Sequence, residues 1–408
     1  MQIRQQALNL KSKATKKLDP YQISLPITTM IELKGIAWNH TRGFISVAAT
    51  AQRFEELNPG IRITWEKRSL QAFADASLSD LCSQYDLLVM DHPHVALAAE
   101  DGLLLPYDEF LSSEFLHNQA ENSVGKSHSS YNYKGKQWTL AIDAATPIAT
   151  WREDLMEKHG MDIPKTWDDV IELATHGHVG FAAIPIDLLM HVYAFCDAQN
   201  GHLFESQHQL ADESALRQSL EELKKLVSLC SPDFQKLNPI QTAEKMTRGN
   251  DVAYCPLGYG YSNYSRPYYA SNKLKAGDVV SYAGNPLRTA LGGAGLGVSS
   301  KTKQTHTCMQ YAEFTASPGT QRGVFYHSGG QPGHRSAWTD DILNAETNNF
   351  FQDTLPTLDR AFVRPQYHGY MFFQDNASKV VHQAVIGEKS IDDAITLIND
   401  IYIESYNH

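Results

Sequence analysis

The hexapeptide Tyr85-Asp86-Leu87-Leu88-Val89-Met90 constrains the architecture more than any other segment. A run so short and so apolar suits a strand buried on both faces, as in a parallel sheet covered by helices. Two upstream segments complete the pattern. Ile31 to Trp38 alternates apolar and polar residues and predicts a strand. After the polar loop Asn39-His40-Thr41-Arg42-Gly43, apolar residues at Val47, Ala48, Ala51, Phe54 and Leu57 recur at helical spacing until Asn58-Pro59-Gly60 stops them. Ile61 to Trp65 is a second strand, and Gln71 to Cys82 a second helical stretch. This βαβαβ order predicts an α/β fold whose ligand groups gather beyond the carboxyl ends of the strands. Two polar loops then face one crevice: Trp38 to Arg42, and Asp91-His92-Pro93-His94.

The 408 residues are enough for two or three domains, each with its own core. A formal net charge of -11 disfavours a polyanionic partner, so nucleic acid is not expected. The five cysteines form no CxxC pair and read as buried thiols, not as a zinc ribbon or a disulfide framework. No apolar run reaches the ~18 residues of a membrane span. Residues 1–30 read as a flexible basic extension without the apolar stretch of a secretory signal, which leaves a cytoplasmic location open.

Further along, Tyr133 to Asp143 reads as a turn and a strand, with a crossing to a second α/β unit near Asp143. Helices are expected at Trp151 to Gly160, at Trp167 to Ala174 with Thr166 as N-cap, and from about Leu188 and Glu213. Arg288 to Ser299 is a glycine-dense strand on which the chain returns to the first unit. Ala377 to Tyr402 has helical periodicity broken at Gly387, with a last helix starting at Ser390.

Seven segments in this order resemble the family 1 extracellular solute-binding proteins, the maltose-binding-like receptors of ABC importers. They are Phe54 to Ile61, Tyr85 to Val89, Gly102 to Asp108, Gly135 to Leu140, Trp151 to Leu155 with Gly160, Pro164 to Asp169, and Leu291 to Ser299. The resemblance implies a two-lobed, type II periplasmic-binding-protein-like α/β fold. Each lobe would be a mixed, mostly parallel sheet flanked by helices, with the ligand cleft between them. It implies lobe 1 at 31–142 plus 289–335 and lobe 2 at 143–288 plus 336–408. It further implies a periplasmic or extracellular monomer, without cofactor or metal, that clamps a small polar solute without catalysis and presents it to ABC transporter permease subunits.

The residues themselves supply candidate contacts. Trp38, Tyr259 and Tyr261 are expected to stack on the apolar faces of a sugar. Arg42 could pair bidentately with a carboxylate on a sugar acid. Asn39, His40, Asp91, His92 and His94 supply hydrogen-bonding groups; zinc at the last three is disfavoured, because no third distant ligand run is evident. Asp143 lies at the expected crossing, Gly292 and Gly293 would let the backbone approach the ligand, and Arg335 is a candidate late contact. The glycines fail as a nucleotide fingerprint, since Val298 stands where a third glycine is required. The rival readings are a cytoplasmic ligand sensor of the same fold and, with less support, a metal-dependent hydrolase using some of the 17 histidines. His327-Ser328-Gly329-Gly330 lacks the glycine that a nucleophile elbow needs two before its serine.

Overall fold

A computed structural model describes residues 30–69 and 77–408. The basic extension, apart from Met30, and the segment 70–76 at the start of the second expected helix lie outside the described residues.

The first lobe is built on a five-stranded sheet. Its elements are β1 (Ile31–Trp38), α1 (Ser46–Leu57), β2 (Ile61–Arg68), α2 (Leu78–Gln84), β3 (Leu87–Met90), β4 (Leu140–Ala145) and the returning β8 (Gly292–Val298), in the spatial order β2-β1-β3-β8-β4. β1 pairs in parallel with β2 and β3, as the βαβαβ pattern requires, whereas β8 runs antiparallel to both β3 and β4. The sheet is therefore mixed. Leu87, Leu88, Val89 and Met90 are all buried, which accounts for the unbroken apolar run in the sequence. Helix α6 (Thr305–Ala316) covers one face with α1, and the Tyr311 hydroxyl sits 2.9 Å from Thr50 Oγ1 and accepts from Trp65 Nε1 at 3.2 Å.

The chain crosses to the second lobe between β4 and β5 (Pro147–Trp151). There a three-stranded sheet has the order β6-β5-β7, with β6 (Tyr254–Tyr259) and β7 (Lys275–Gly277) both antiparallel to β5. The parallel component of this lobe is thin: single bridges join Val179 to Tyr254 and Thr166 to Ser281. Helices dominate here. They are α3 (Trp167–Thr175), α4 (Pro185–Ala198), α5 (Glu213–Leu229), α8 (Tyr370–Val385) and α9 (Ile391–Ser405). Thr166 caps α3 in a reciprocal box with Asp169, as its sequence suggests, and Gly387 takes a left-handed φ of 86° in the turn between α8 and α9. The near-continuous apolar face of α4 packs between α5 and α8, where Leu188, Leu189, Val192 and Phe195 are fully buried.

A third apolar cluster sits at the crossing itself. Ala144, Ile148 and Leu291 of the connecting segments pack against Val124, Tyr326, Trp338 and the helix α7 (Phe350–Asp359). Among the described residues no helix is long and apolar enough to cross a membrane.

Gly35 on β1 stands opposite Trp65 on β2, and a Cβ there would lie 2.6 Å from the indole. Gly35→Ala is expected to lower stability by about 1–3 kcal/mol through overpacking, measured by urea unfolding, and a smaller residue at Trp65 should recover part of that loss.

Candidate functional site

The β1 strand ends at Trp38, and the chain then makes a π-helical turn, Thr41–Ile45, before α1. That irregular turn aims Arg42 inward. Its Nε donates to Asp143 Oδ2 at 2.7 Å, its Nη2 to Asp143 Oδ1 at 2.5 Å, and its Nη1 to the carbonyl of Gly260 in the second lobe at 2.8 Å. Asp143 is presented from β4 next to a bulge, where the pairing with β8 slips between Ala294 and Gly295. Both side chains are buried. Burial pushes the Asp143 carboxyl above its usual range despite Arg42, whereas the Asp143 charge outweighs the same burial and holds the guanidinium protonated. These tendencies oppose each other at the carboxyl, and the bidentate geometry favours the ionised pair, because the guanidinium cannot surrender its proton.

Aromatic groups close around this pair. The Arg42 guanidinium carbon lies 4.6 Å from the Tyr261 ring centre and 5.9 Å from that of Trp38. The Trp38 indole is largely buried, and a Cβ on Gly43 would fall 2.4 Å from it, so one face of the expected stacking platform is already covered. His40 Nδ1 accepts from the Arg42 backbone N–H at 3.0 Å, which places its proton on Nε2, 3.2 Å from the Tyr269 hydroxyl. Burial and then Arg42 lower this imidazole to about 3, so it is neutral. Its ring also meets Tyr261 edge-on. Asn39 is exposed, and its backbone N–H donates to Arg68 O.

A second group forms where β3 ends. Asp91 Oδ1 accepts from the His92 backbone N–H at 2.8 Å, and Asp91 Oδ2 accepts from Arg364 Nη2 at 2.5 Å. Burial raises the Asp91 carboxyl, but Arg364 and His92 outweigh it and hold it well below the usual carboxylate range. His92 is fully buried, edge-on to Tyr131; Nδ1 lies 3.2 Å from Asp91 Oδ1 at an angle that makes no hydrogen bond, and both ring nitrogens lack a hydrogen-bond partner. Burial lowers both imidazoles of this loop, that of His94 to about 4. Among the described residues no set of three or more His, Cys, Asp or Glu is arranged to hold a metal ion.

The two glycines of β8 serve the walls of the cleft. A Cβ at Gly292 would meet the Tyr259 ring at 2.5 Å, and at Gly293, whose φ is 96°, it would meet the Asp143 carbonyl at 2.4 Å. The close approach expected there is thus made to protein groups. Tyr259 donates its hydroxyl to Ala290 O at 3.2 Å. Arg335 is not brought to either group: Gly333 N–H is tied to Ile142 O, the chain turns outward, and Arg335 pairs with Asp359 and Ser123 O on the surface.

Three participants escaped the sequence reading. Arg364, in Phe362-Val363-Arg364-Pro365, is a lone cation in an apolar stretch before proline, and that isolation was its signal. Gln331 stitches the crossing, accepting from Ser262 N–H and donating to Ala144 O and Gly260 O. Asp187 and His191 lie one turn apart on α4, both buried, with Asp187 Oδ2 and both His191 nitrogens lacking a hydrogen-bond partner. Burial lifts the Asp187 carboxyl to about 8 and lowers the His191 imidazole to about 3, so both are mainly neutral at pH 7. Asp187 lies near enough to Tyr259 and Tyr261 to influence both phenols.

With this geometry in hand, the comparisons decide the family. The model of the bacterial extracellular solute-binding proteins matches residues 37–176, which carry the first lobe's parallel strands, both cleft loops and the crossing. The chain belongs to the bacterial extracellular solute-binding proteins. Its fold is similar to that of a solute-binding protein of Agrobacterium radiobacter K84 solved with ribitol, at a TM-score of 0.80 and 17% identity over 92% of this chain and 98% of the other. It is also similar to maltose-bound MalE3 of T. maritima, at a TM-score of 0.77 and 16% identity over 91% and 99%. A Thermotoga lettingae TMO protein bound with α-D-tagatose gives a TM-score of 0.78 and 19% identity over 92% and 99%. In this family's fold the crevice between the lobes is where Arg42, Asp143, Asp91, His92, Tyr259 and Tyr261 converge.

Two outcomes follow from the buried charges. Arg42→Met leaves Asp143 without its partner and is expected to cost about 3–5 kcal/mol in urea unfolding, with Arg42→Lys intermediate because it cannot form the fork. Asp187 has its pKa raised from 3.8 to about 8, so the stability it contributes is complete below about pH 4 and is lost as pH rises through 8. The stability of Asp187→Asn relative to the parent should therefore grow from pH 5 to pH 8.5.

Proposed function

We propose that the protein captures a small uncharged polyhydroxy solute, a sugar or sugar alcohol, between its lobes and presents it to the permease of an ABC importer, with no bond made or broken. The observation that carries the reading is charge balance. Each cleft arginine is already matched by a carboxylate, Arg42 by Asp143 and Arg364 by Asp91, so an added anion would bring an unmatched charge into a buried place. The same pairing disfavours the carboxylate solute that Arg42 suggested when read alone.

In this reading the unpartnered His92 nitrogens and the Asp187 carboxyl meet solute hydroxyls, His40, Asn39 and His94 line the rim, and Tyr259 and Tyr261 offer ring surface. The lobes divide at 31–142 plus 289–335 and at 143–288 plus 336–408. The protein acts as a monomer outside the cytoplasmic membrane. Solved proteins of the same fold hold maltose, ribitol and α-D-tagatose, which are uncharged, and this supports the solute class without naming the solute.

A thermal-shift panel of sugars, sugar alcohols and sugar acids tests the proposal. An uncharged compound is expected to raise the melting temperature, by the equivalent of about 2.7 kcal/mol at a hundredfold excess over its Kd, while sugar acids do not. His92→Ala should abolish the shift. A sugar acid as the best stabiliser would overturn the neutral-solute reading, and time-dependent conversion of a bound compound would overturn the receptor reading.

A further inference from the structure

We infer that the lobes are held shut by the protein's own side chains, with Arg364 bonded to Asp91 across the cleft as the latch, so that closure does not wait for solute. Asp91 ends a strand of the first lobe. Arg364 is anchored to the second lobe and to the crossing: Nη1 donates to Gln374 Oε1 on α8 at 3.0 Å, and Nη2 also reaches Leu291 O at 3.3 Å. The Arg364 side chain is 3% exposed, so the bond to Asp91 is made largely out of water. Gln366, two residues on, donates to Ser130 O in the first lobe, and at the other rim the Tyr269 hydroxyl meets His40 Nε2 at 3.2 Å.

A solute can drive closure only by binding the closed form better than the open one. Here cross-cleft bonds supply that preference before any solute arrives. Opening would return Asp91 to water and leave Arg364 buried against Gln374 with its strongest partner gone, so the open state bears the cost of an unmatched cation. The consequence is kinetic as well: solute leaves only when the Arg364 bond breaks. This inference rests on the two-lobed fold and is independent of which solute binds.

The experiment measures the distance between the lobes in protein stripped of solute by unfolding, dialysis and refolding. Spin labels on Arg53→Cys in α1 and Lys224→Cys in α5 report it; both positions are exposed and all five native thiols are buried, so labelling is selective. The stripped protein is expected to show one short distance. Arg364→Gln and Asp91→Asn should each shift the closed-to-open ratio at least roughly tenfold toward a longer distance, matched by a larger radius of gyration in solution scattering. Asp91→Asn keeps the side-chain volume and serves as the reading if Arg364→Gln does not fold. A long distance in the stripped parent, or an unchanged short distance in Asp91→Asn, would overturn the inference. Neither result depends on the solute panel, so failure here leaves the proposed function standing.

Discussion

The Arg42–Asp143 pair organises the middle of the molecule. It joins the turn after β1, the bulged end of β4 and, through the Gly260 carbonyl, the end of β6 in the other lobe. Two charges in so dry a place are tolerated only when matched and hydrogen-bonded, so the positions of all three chain ends are specified together. Tyr261 and Trp38 flank the guanidinium, Gln331 binds Ala144 O and Gly260 O beside it, and Gly293 must lack a side chain because the Asp143 carbonyl occupies that space. The cleft floor is thus a single polar construction, not a collection of independent contacts.

Its electrical character follows from the same logic. Where the crevice holds a cation it also holds an anion, and its remaining titratable groups are pushed toward their neutral forms: the imidazoles of His40 and His94 downward, the Asp187 carboxyl upward. Neutral donors and acceptors in a dry space suit hydroxyl groups, which need partners but bring no charge to be compensated. The Asp91–Arg364 pair adds a second consequence, since it lies between parts that must separate for the cleft to open.

Much of the architecture could be read from periodicity. The apolar run at Leu87 to Met90, the alternating Ile31 to Trp38, the Thr166–Asp169 capping pair and the break at Gly387 are local patterns with local causes. The loops after β1 and β3 were legible as cleft walls because the end of a parallel strand is where such walls form. What they would touch was not legible. Arg42 read alone looks like an anion receptor, and only the spatial approach of Asp143, 101 positions away, makes it an internal pair. Arg335 looked equally available and turned out to face the surface, because Gly333 packs beneath β4 and directs the chain outward.

By itself, then, the sequence determined the alternation of strand and helix, the α/β class, the return of the chain on a glycine-dense strand and the loops that line the crevice. Each of these depends on residues close together along the chain. The tertiary structure alone decided the partner of each charge, the antiparallel sheet of the second lobe, the place of Arg364 and Asp187 in the cleft, and the bonds that span it. Those depend on which distant segments share a space that water cannot enter, and in such a space an arginine is a binding group or a structural one according to whether a carboxylate reaches it first.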